Sequence, residues 1–299
     1  MNSARPLLAS LIDYAGLFPP AELQMRTAVP RYAGYRAGDH SWMLGRFVLP
    51  LTQLEELEHW FDELPASARE TPWGLTVLAG RSLEAEVKKI VDFNRRHGDE
   101  GRRDAKIESL ELKVHSLDDV ARDADVIAEP SEVYFEIGLA TDPEEWLGAV
   151  AAVGARAKVR TGGVSPEMFP RVPDVARFLQ ACAAQKVPFK ATAGLHHAVR
   201  SDQALAGDQR HRVVAMHGFL NLFVAAGLAF TDRVGTDLLE QVLDERSGAA
   251  FAFDQTGVSV HGRRLTCEDL ATTRHRFATS FGSCSLDVPI EDLTTLGLV

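Results

Sequence analysis

The chain has 299 residues, of which 45% are apolar and 25% charged, and its formal net charge is −10. This is the composition of an ordinary globular protein, long enough for one large barrel or two ordinary domains. The acidic balance excludes nucleic acid and anionic membranes as expected partners, because both require a positive protein surface.

The ends and the apolar runs of the chain predict a cytoplasmic protein. The start, MNSARPLLAS, lacks the apolar core of a secretory signal, and no run approaches the ~18 apolar residues of a membrane-spanning helix. Cys182, Cys267 and Cys284 have no metal-type spacing and are odd in number, which indicates a reducing compartment without disulfides. The residues do not set the oligomeric state, and a homo-oligomer is compatible with them.

Short apolar runs typical of strands alternate with runs typical of helices. The predicted strands are Leu8–Ala15, Trp42–Leu49, Gly74–Gly80, Ser109–His115, Val133–Leu139, Ala157–Thr161 and Phe189–Ala193. The predicted helices lie at 51–63, 82–96, 117–126, 142–153, 172–186 and 212–229, with Ser116 and Thr141 as caps. Strict alternation predicts a parallel sheet covered by helices, and seven such units favour one α/β domain over 1–299, a (β/α)8 TIM barrel. No G-x-G-x-x-G follows the first strand, which weakens a dinucleotide-binding alternative.

The eighth strand has two candidates, Ala250–Phe253 and Arg276–Phe281. The first lies in AFAFDQTGVSVHGRRLT, which is typical of a β-hairpin with Gly257 at its turn and a helix capped by Thr266 after it. We therefore expect Arg276–Phe281 to close the barrel, with a small hairpin insertion near 250–264.

Lysine is rare in this chain and concentrated in strands. There are seven lysines against 25 arginines, and three of the seven lie in predicted strands. Where only a positive charge is required, the chain uses arginine. A lysine retained in a strand therefore indicates chemistry that arginine cannot perform, namely losing its proton and acting as an amine.

Side-chain alternation places ionisable groups inside the predicted barrel. Successive strand residues point to opposite faces, and Leu110 and Leu112 fit the apolar face toward the helices. The residues of interior parity on four consecutive strands are Glu111, Lys113 and His115, then Glu136, Lys158 and Arg160, and Lys190 and Thr192. Because buried charges are costly unless paired, one interpretation is a structural ion-pair cluster. The other is an active site, since TIM barrels carry theirs at the carboxyl ends of the strands.

Three segments of this region resemble the class I aldolase superfamily, in particular deoxyribose-phosphate aldolases. KVRTGG, starting at Lys158, resembles their Lys-x-x-Thr-Gly signature, whose lysine forms a Schiff base. KATAGL, starting at Lys190, resembles the Lys-Ala-x-x-Gly-Ile signature on the next strand, and FEIGLATDPEE resembles the Glu-bearing fifth strand. This likeness covers about residues 133–197. The whole chain is also similar to a group of bacterial proteins without an assigned function, through IDYAGLFPPA near its start and FGSCS near its end.

The resemblance implies a role for each matching residue. Lys158 would form the Schiff base, and Lys190 would be the neighbouring cation that favours a neutral, nucleophilic amine there. Glu136 or Glu111 would move protons. Lys113, which has no counterpart in the family, completes the predicted catalytic set.

The chain departs from the family at three positions. Its fourth strand offers Glu111, Lys113 and His115 where the family has an aspartate. Arg160 stands where the family has a small polar residue, and His196 stands where it has a phosphate-binding arginine. These departures leave the substrate and the reaction of this chain open.

Further residues at the strand ends are predicted to bind the substrate. Glycines at three strand ends let backbone N–H groups approach an anion, and Arg160 beside them favours an acidic or phosphorylated substrate. Asp13 and Tyr14 end the first strand and either line the mouth or cap the next loop, while Arg46 is an interior anion-binding candidate. The predicted substrate-binding set is Arg160, Thr161, Gly162, Gly163, Thr192, Gly194, His196, His197, Asp13, Tyr14, Arg46, Gly282 and Ser283.

The sequence predicts an aldolase-type carbon–carbon lyase that acts on a small carbonyl or acidic molecule through a lysine Schiff base. One alternative is a metal-dependent lyase or hydrolase using His196, His197 and Glu136. No paired-histidine or paired-cysteine spacing supports it, so we expect neither a metal nor another cofactor. The second alternative is a non-catalytic barrel that binds an anion or a sugar.

Overall fold

A closed barrel of eight parallel strands forms the centre of the computed structural model, which describes residues 3–80, 82–97, 104–127, 132–139, 142–207 and 210–299. The thirteen strands of these residues are β1 Ile12–Tyr14, β2 Leu44–Pro50, β3 Trp73–Leu78, β4 Ala105–Lys113, β5 Glu132–Ile137, β6 Arg156–Arg160, β7 Phe189–Thr192, β8 Ser201–Ala204, β9 Val213–Met216, β10 Ala252–Phe253, β11 Gly257–Val260, β12 Arg263–Thr266 and β13 Ala278–Ser283. The barrel order is β1-β13-β7-β6-β5-β4-β3-β2, with every neighbouring pair parallel. The predicted TIM barrel is confirmed.

Helices follow the barrel strands and cover them. They are α1 Ala4–Leu8, α2 Met25–Ala37, α3 Leu54–Glu63, α4 Leu83–His97, α5 Leu117–Val126, α6 Pro143–Ala152, α7 Val172–Gln185, α8 Phe219–Gly227, α9 Thr236–Asp244, α10 Cys267–Arg276 and α11 Asp287–Thr295. Ser116 and Thr266 cap α5 and α10 through reciprocal hydrogen bonds with an aspartate three residues later, as their sequences predict. Asp142 caps α6, and the predicted cap Thr141 lies outside the described residues.

The eighth barrel strand is β13, as the hairpin argument predicts. Residues 252–266 instead form a three-stranded antiparallel sheet, β10-β11-β12. Gly257 begins β11 and does not occupy a turn. The tight turn is at His261 and Gly262, whose φ angles of 46° and 73° suit the type of hairpin that requires left-handed residues.

Three predicted elements start at least four residues from the predicted position, and one of them is β4, which begins at Ala105 and not at Ser109. The predicted strand from Leu8 begins instead at Ile12, because Leu8 ends the short helix α1. The predicted helix over 212–229 begins instead at Phe219, because Val213–Met216 pairs antiparallel with Ser201–Ala204. The β-branched pair Val213-Val214 favours that strand, and Gly218 separates it from the helix.

Interior and exterior parity follow the prediction on the strands that carry the lysines. Leu110, Phe135, Val159 and Ala191 lie in the apolar layer between the barrel and its helices. The alternate positions point inward, and register pairs Glu136 with Lys158 and Lys158 with Lys190. The interior of this part of the barrel is therefore polar.

No helix within the described part of the chain combines the length and the apolar character required to cross a membrane.

Candidate active site

Two buried lysines occupy neighbouring positions on β6 and β7. Lys158 and Lys190 are register partners, and their side chains are 4% and 2% exposed. Alternation points both side chains into the barrel, and the parallel register holds them at the same height. The sequence therefore brings two primary amines together by strand pairing alone.

Glu111 on β4 bridges the two amines. Its Oε2 lies 2.6 Å from Lys158 Nζ, and its Oε1 lies 2.7 Å from Lys190 Nζ. Burial opposes ionisation of this carboxyl, but the two ammonium groups outweigh it and lower its pKa from 4.5 to about 2. Glu111 is thus an anion, and it offsets the repulsion between the lysines that the sequence argument considered alone.

Asp13 on β1 holds Lys190 from the other side. Its Oδ2 lies 2.7 Å from Lys190 Nζ and accepts a hydrogen bond of 2.8 Å from Ser280 Oγ. The Tyr134 ring lies 5.4 Å from the same nitrogen, within the range of a cation–π contact. Burial favours the neutral amine, but Asp13 and Glu111 outweigh it and raise the pKa of Lys190. Lys190 is accordingly a fixed cation.

Lys158 has a second carboxylate partner on β5. Besides Glu111, it contacts Glu136, whose Oε2 is 2.8 Å from Lys158 Nζ and whose Oε1 is 3.3 Å from Arg160 Nε. Burial opposes ionisation of Glu136, but Lys158 and then Arg160 outweigh it and lower the pKa of its carboxyl. The Glu136 side chain is 14% exposed, so this carboxylate connects the buried amine with the surface.

A cavity of about 240 Å³ opens above the two lysines, at the carboxyl ends of the strands. The predicted site residues that line it are Glu111, Lys158, Arg160, Gly163, Lys190, Thr192, Gly194, His196 and Gly282. This is the end of a TIM barrel at which substrates bind. A concave site with a few converging polar groups is also the general form of a small-molecule site.

His196 and Cys284 meet at the wall of this cavity. The Cys284 Sγ lies 4.0 Å from His196 Nδ1. Burial raises the pKa of the thiol, while burial and the neighbouring His197 lower the pKa of His196. At neutral pH the pair is a thiol and a neutral imidazole, which suits proton transfer by His196 better than attack by sulfur.

Asp13, Tyr14 and Arg46 do not line the cavity, and Asp13 is buried against Lys190. Tyr14 has the opposite parity to Asp13 and packs against Tyr32 and Tyr35 of α2, so the prediction that it lines the mouth is wrong. Arg46 does point inward, but deeper in the barrel, where it contacts Glu108 at 2.8 Å and Glu132 at 2.6 Å. Its guanidinium is thus occupied by carboxylates and is not presented to an anion at the mouth.

Four other predicted residues support the walls and do not line the cavity. Thr161 Oγ1 donates to the Ala193 carbonyl at 2.6 Å, and Ser283 Oγ donates to the Ser285 carbonyl at 2.7 Å. Gly162 lies so close to β7 that a Cβ there would stand 2.6 Å from Gly194 Cα. The fourth residue is His197, whose Nδ1 lies 3.1 Å from Asp292 Oδ2.

The predicted metal-binding set is not brought together. Glu136 contacts Lys158, His197 contacts Asp292, and His196 lies against Cys284. Lys113, which the sequence predicts to be catalytic, and His115 are exposed and do not line the cavity. Among the residues that the structure describes, no three His, Cys, Asp or Glu side chains are placed to share a metal ion.

Sequence reasoning missed the apolar wall of the cavity. Its largest side chains, from four different connections and strands, are Phe18, Pro19, Pro20, Val48, Leu78, Val164 and Met168. Most of them lie in loops, where neither strand nor helix periodicity applies. The only signal in the chain is the apolar run GLFPP after β1, which by sequence alone is typical of a turn.

Comparisons of the chain with protein-family models, with curated proteins and with solved structures find no match. The resemblance to deoxyribose-phosphate aldolases therefore stays a prediction from the motifs.

Proposed function

We propose that this protein is an aldolase-type carbon–carbon lyase in which Lys158 forms an imine with a small carbonyl substrate. One observation carries the proposal: two buried lysines lie side by side at the floor of a cavity, with one carboxylate shared between them. A purely structural ion-pair cluster does not account for the open cavity above the amines. An apolar core would also usually fill a barrel with equal stability.

The two lysines have different partners, and these support different roles. Lys190 has a raised pKa and two carboxylate partners, so it serves as the permanent cation. Lys158 contacts Glu136, a partly exposed carboxylate that can exchange protons with the solvent, so Lys158 serves as the nucleophile.

The proposed chemistry begins with a proton transfer. Glu136 takes a proton from the Lys158 ammonium, and the freed amine attacks the carbonyl carbon. After proton transfer from nitrogen to oxygen, Glu136 returns its proton to the carbinolamine hydroxyl, which leaves as water. Glu111 holds both oxygens against the lysines and remains an anion that stabilises the iminium charge.

The iminium then accepts the electrons of the carbon–carbon bond. His196 removes the proton of the hydroxyl group beyond that bond, so that one carbonyl product leaves and an enamine remains on Lys158. His196 gives the same proton to the enamine carbon, and water releases the second product. The imidazole is neutral and lines the cavity, as this role requires.

Deuterium exchange at the carbon next to a carbonyl tests this proposal. An enamine exchanges that hydrogen with the solvent, so we expect the wild-type protein to deuterate pentanal at C2 in D2O, followed by NMR. Lys158→Met, and Lys158→Arg, which keeps the charge but forms no imine, should exchange only at the rate of buffer alone. Lys186→Met, at an exposed lysine outside the site, is the matched control. Undiminished exchange by folded Lys158→Arg would contradict the proposal.

A further inference from the structure

The ionic groups at the floor of the cavity compensate one another. Three cations line the cavity, Lys158, Lys190 and Arg160, and they contact three carboxylates: Glu111, which also lines it, and Asp13 and Glu136, which do not. Each cation lies within 3.3 Å of a carboxylate oxygen, and the lowered pKa of His196 leaves the imidazole neutral. A phosphate or carboxylate entering the cavity would therefore meet no uncompensated positive charge among the described lining residues.

An added anion would also approach existing negative charge. Glu111 is an anion at the cavity floor, and Glu136 lies beside it against Lys158. Moving an anion from water to this position would cost its hydration without a new ion pair, and like charges at short distance repel. The glycine-rich strand ends, which favour an anion by sequence alone, also have another explanation. Gly162 and Gly194 pack against each other. The Met168 side chain packs on Gly163, and its Sδ would lie 2.4 Å from a Cβ at position 163.

The wall above the ionic floor is apolar on two opposite sides. The β1–α2 connection contributes Phe18, Pro19 and Pro20, and the β6–α7 connection contributes Val164 and Met168. Val164 is 51% exposed and Met168 is 37% exposed. Only four large apolar side chains of the described residues are this exposed, and two of them border this cavity. Apolar side chains grouped in this way at a cavity mouth indicate an apolar ligand group.

The size of the cavity limits that group. A dry cavity of about 150 Å³ in another protein binds benzene. The 240 Å³ of this cavity thus accommodates a carbonyl group on Lys158 together with a short chain or a ring.

We propose that the carbonyl substrate carries an uncharged, apolar substituent, of about three to six carbons by comparison with the benzene-sized cavity, and not a phosphate or carboxylate. The carbonyl carbon lies at Lys158, and the substituent lies between the Phe18–Pro20 wall and Met168. This inference deepens the imine mechanism proposed above and rests on it for the placement of the carbonyl group.

Two unreactive amides of matched shape test the substituent without requiring an imine. Pentanamide and succinamate have the same number of non-hydrogen atoms along the chain, counting one carboxylate oxygen, but one ends in a methyl group and the other in a carboxylate. We expect pentanamide to bind at least ~10-fold more tightly, because its tail leaves water and the carboxylate loses hydration. Binding is measured by ligand-observed NMR titration of the wild-type protein. Equal or tighter binding of succinamate, or no binding of pentanamide, would overturn the inference.

A charge added to the apolar wall should reverse this preference. Met168→Lys places an ammonium at the mouth, so we expect weaker pentanamide binding and at least ~10-fold tighter succinamate binding. Val91→Lys makes a comparable change at a position that is 39% exposed and does not line the cavity, and it should leave both affinities unchanged. An unchanged preference in Met168→Lys would count against the proposed position of the substituent.

The two proposals fail separately. If pentanamide binds as expected but pentanal exchanges no deuterium, the imine mechanism is rejected and the apolar substituent site stands. If pentanal exchanges but succinamate binds as tightly as pentanamide, the mechanism stands and the inferred substrate class is rejected.

Discussion

At the scale of single residues, Glu111 is the carboxylate that joins the two lysines. It gives one oxygen to each amine, and the two cations keep it ionised far below the usual pKa of a glutamate. Two neighbouring lysines without this carboxylate would repel each other, as the motifs suggest. With it, the pair forms an anchored cation, Lys190, and a second amine, Lys158, that faces the cavity.

The lowered pKa of Glu111 predicts a pH dependence of folding stability. A carboxyl whose pKa falls on folding stabilises the protein fully above its ordinary pKa of 4.5 and loses this contribution as the pH falls toward about 2. We expect Glu111→Gln to lower the free energy of unfolding at pH 7 by about 3–5 kcal/mol, because both buried lysines lose a partner. Its stability should then fall less steeply than that of the wild type between pH 4.5 and 2.

Urea denaturation across this pH range measures the effect. Glu55→Gln, at an exposed glutamate of α3, is the control and should follow the wild-type curve. An acid slope in Glu111→Gln equal to that of the wild type would mean that Glu111 does not carry this dependence.

At the scale of elements, the ends of β6 and β7 are locked together just beyond the lysines. Thr161 bonds to the Ala193 carbonyl, and Gly162 touches Gly194, which adopts a φ of 74° in the left-handed region. These contacts fix the height at which Lys158 and Lys190 meet. The neighbouring Gly163 leaves the space in which Met168 covers the cavity.

Gly162→Ala should therefore disturb the site through the backbone. The new Cβ would lie 2.6 Å from Gly194 Cα, and a backbone atom cannot move away as easily as a side chain can. We expect about 1–3 kcal/mol of lost stability and a lower rate of pentanal exchange. Gly138→Ala, after β5, is the matched control because a Cβ at that position would have no neighbouring atom within 4 Å. Thermal unfolding and deuterium exchange give both quantities, and equal behaviour of the two variants would refute the strand-locking role.

The sequence predicts which face of a strand each residue lies on. It does not predict the height of a side chain in the barrel or the positions of loop residues. Parity on four consecutive strands places Glu111, Lys158 and Lys190 correctly, because apolar neighbours identify the outer face. The same alternation rule predicts that Tyr14 points outward, because the adjacent Asp13 points inward. Arg46 has the correct parity, yet its height depends on strand register, which a single sequence does not specify. The apolar wall comes from loops without any periodic pattern.

At the scale of the whole molecule, the barrel contains two charged layers with different partners. The upper layer lies below the open cavity. The lower layer joins Arg46 and Arg156 with Glu108 and Glu132, toward the amino ends of the strands. The amino end of a TIM barrel usually serves stability, and the carboxyl end usually serves chemistry.

Arg46→Met should therefore reduce stability without altering the site. Removing this guanidinium leaves Glu108 and Glu132 with fewer partners. Because these groups are partly exposed, we expect a loss of only about 1–2 kcal/mol. The exchange rate of pentanal should equal that of the wild type, since Arg46 does not line the cavity. Urea denaturation and NMR measure the two effects, and a marked loss of exchange in the folded variant would connect the two layers functionally.

Reduction with borohydride in the presence of pentanal, followed by peptide mapping, tests the central claim most directly. The reagent converts an imine to a stable secondary amine, so the modified lysine is read from the mass of its peptide. We predict one pentyl group per chain on Lys158, absent from Lys158→Arg and retained by Lys186→Met. Modification of Lys190 instead would exchange the roles of the two lysines. Labelling spread over exposed lysines, with Lys158 unmodified, would contradict imine formation at this site.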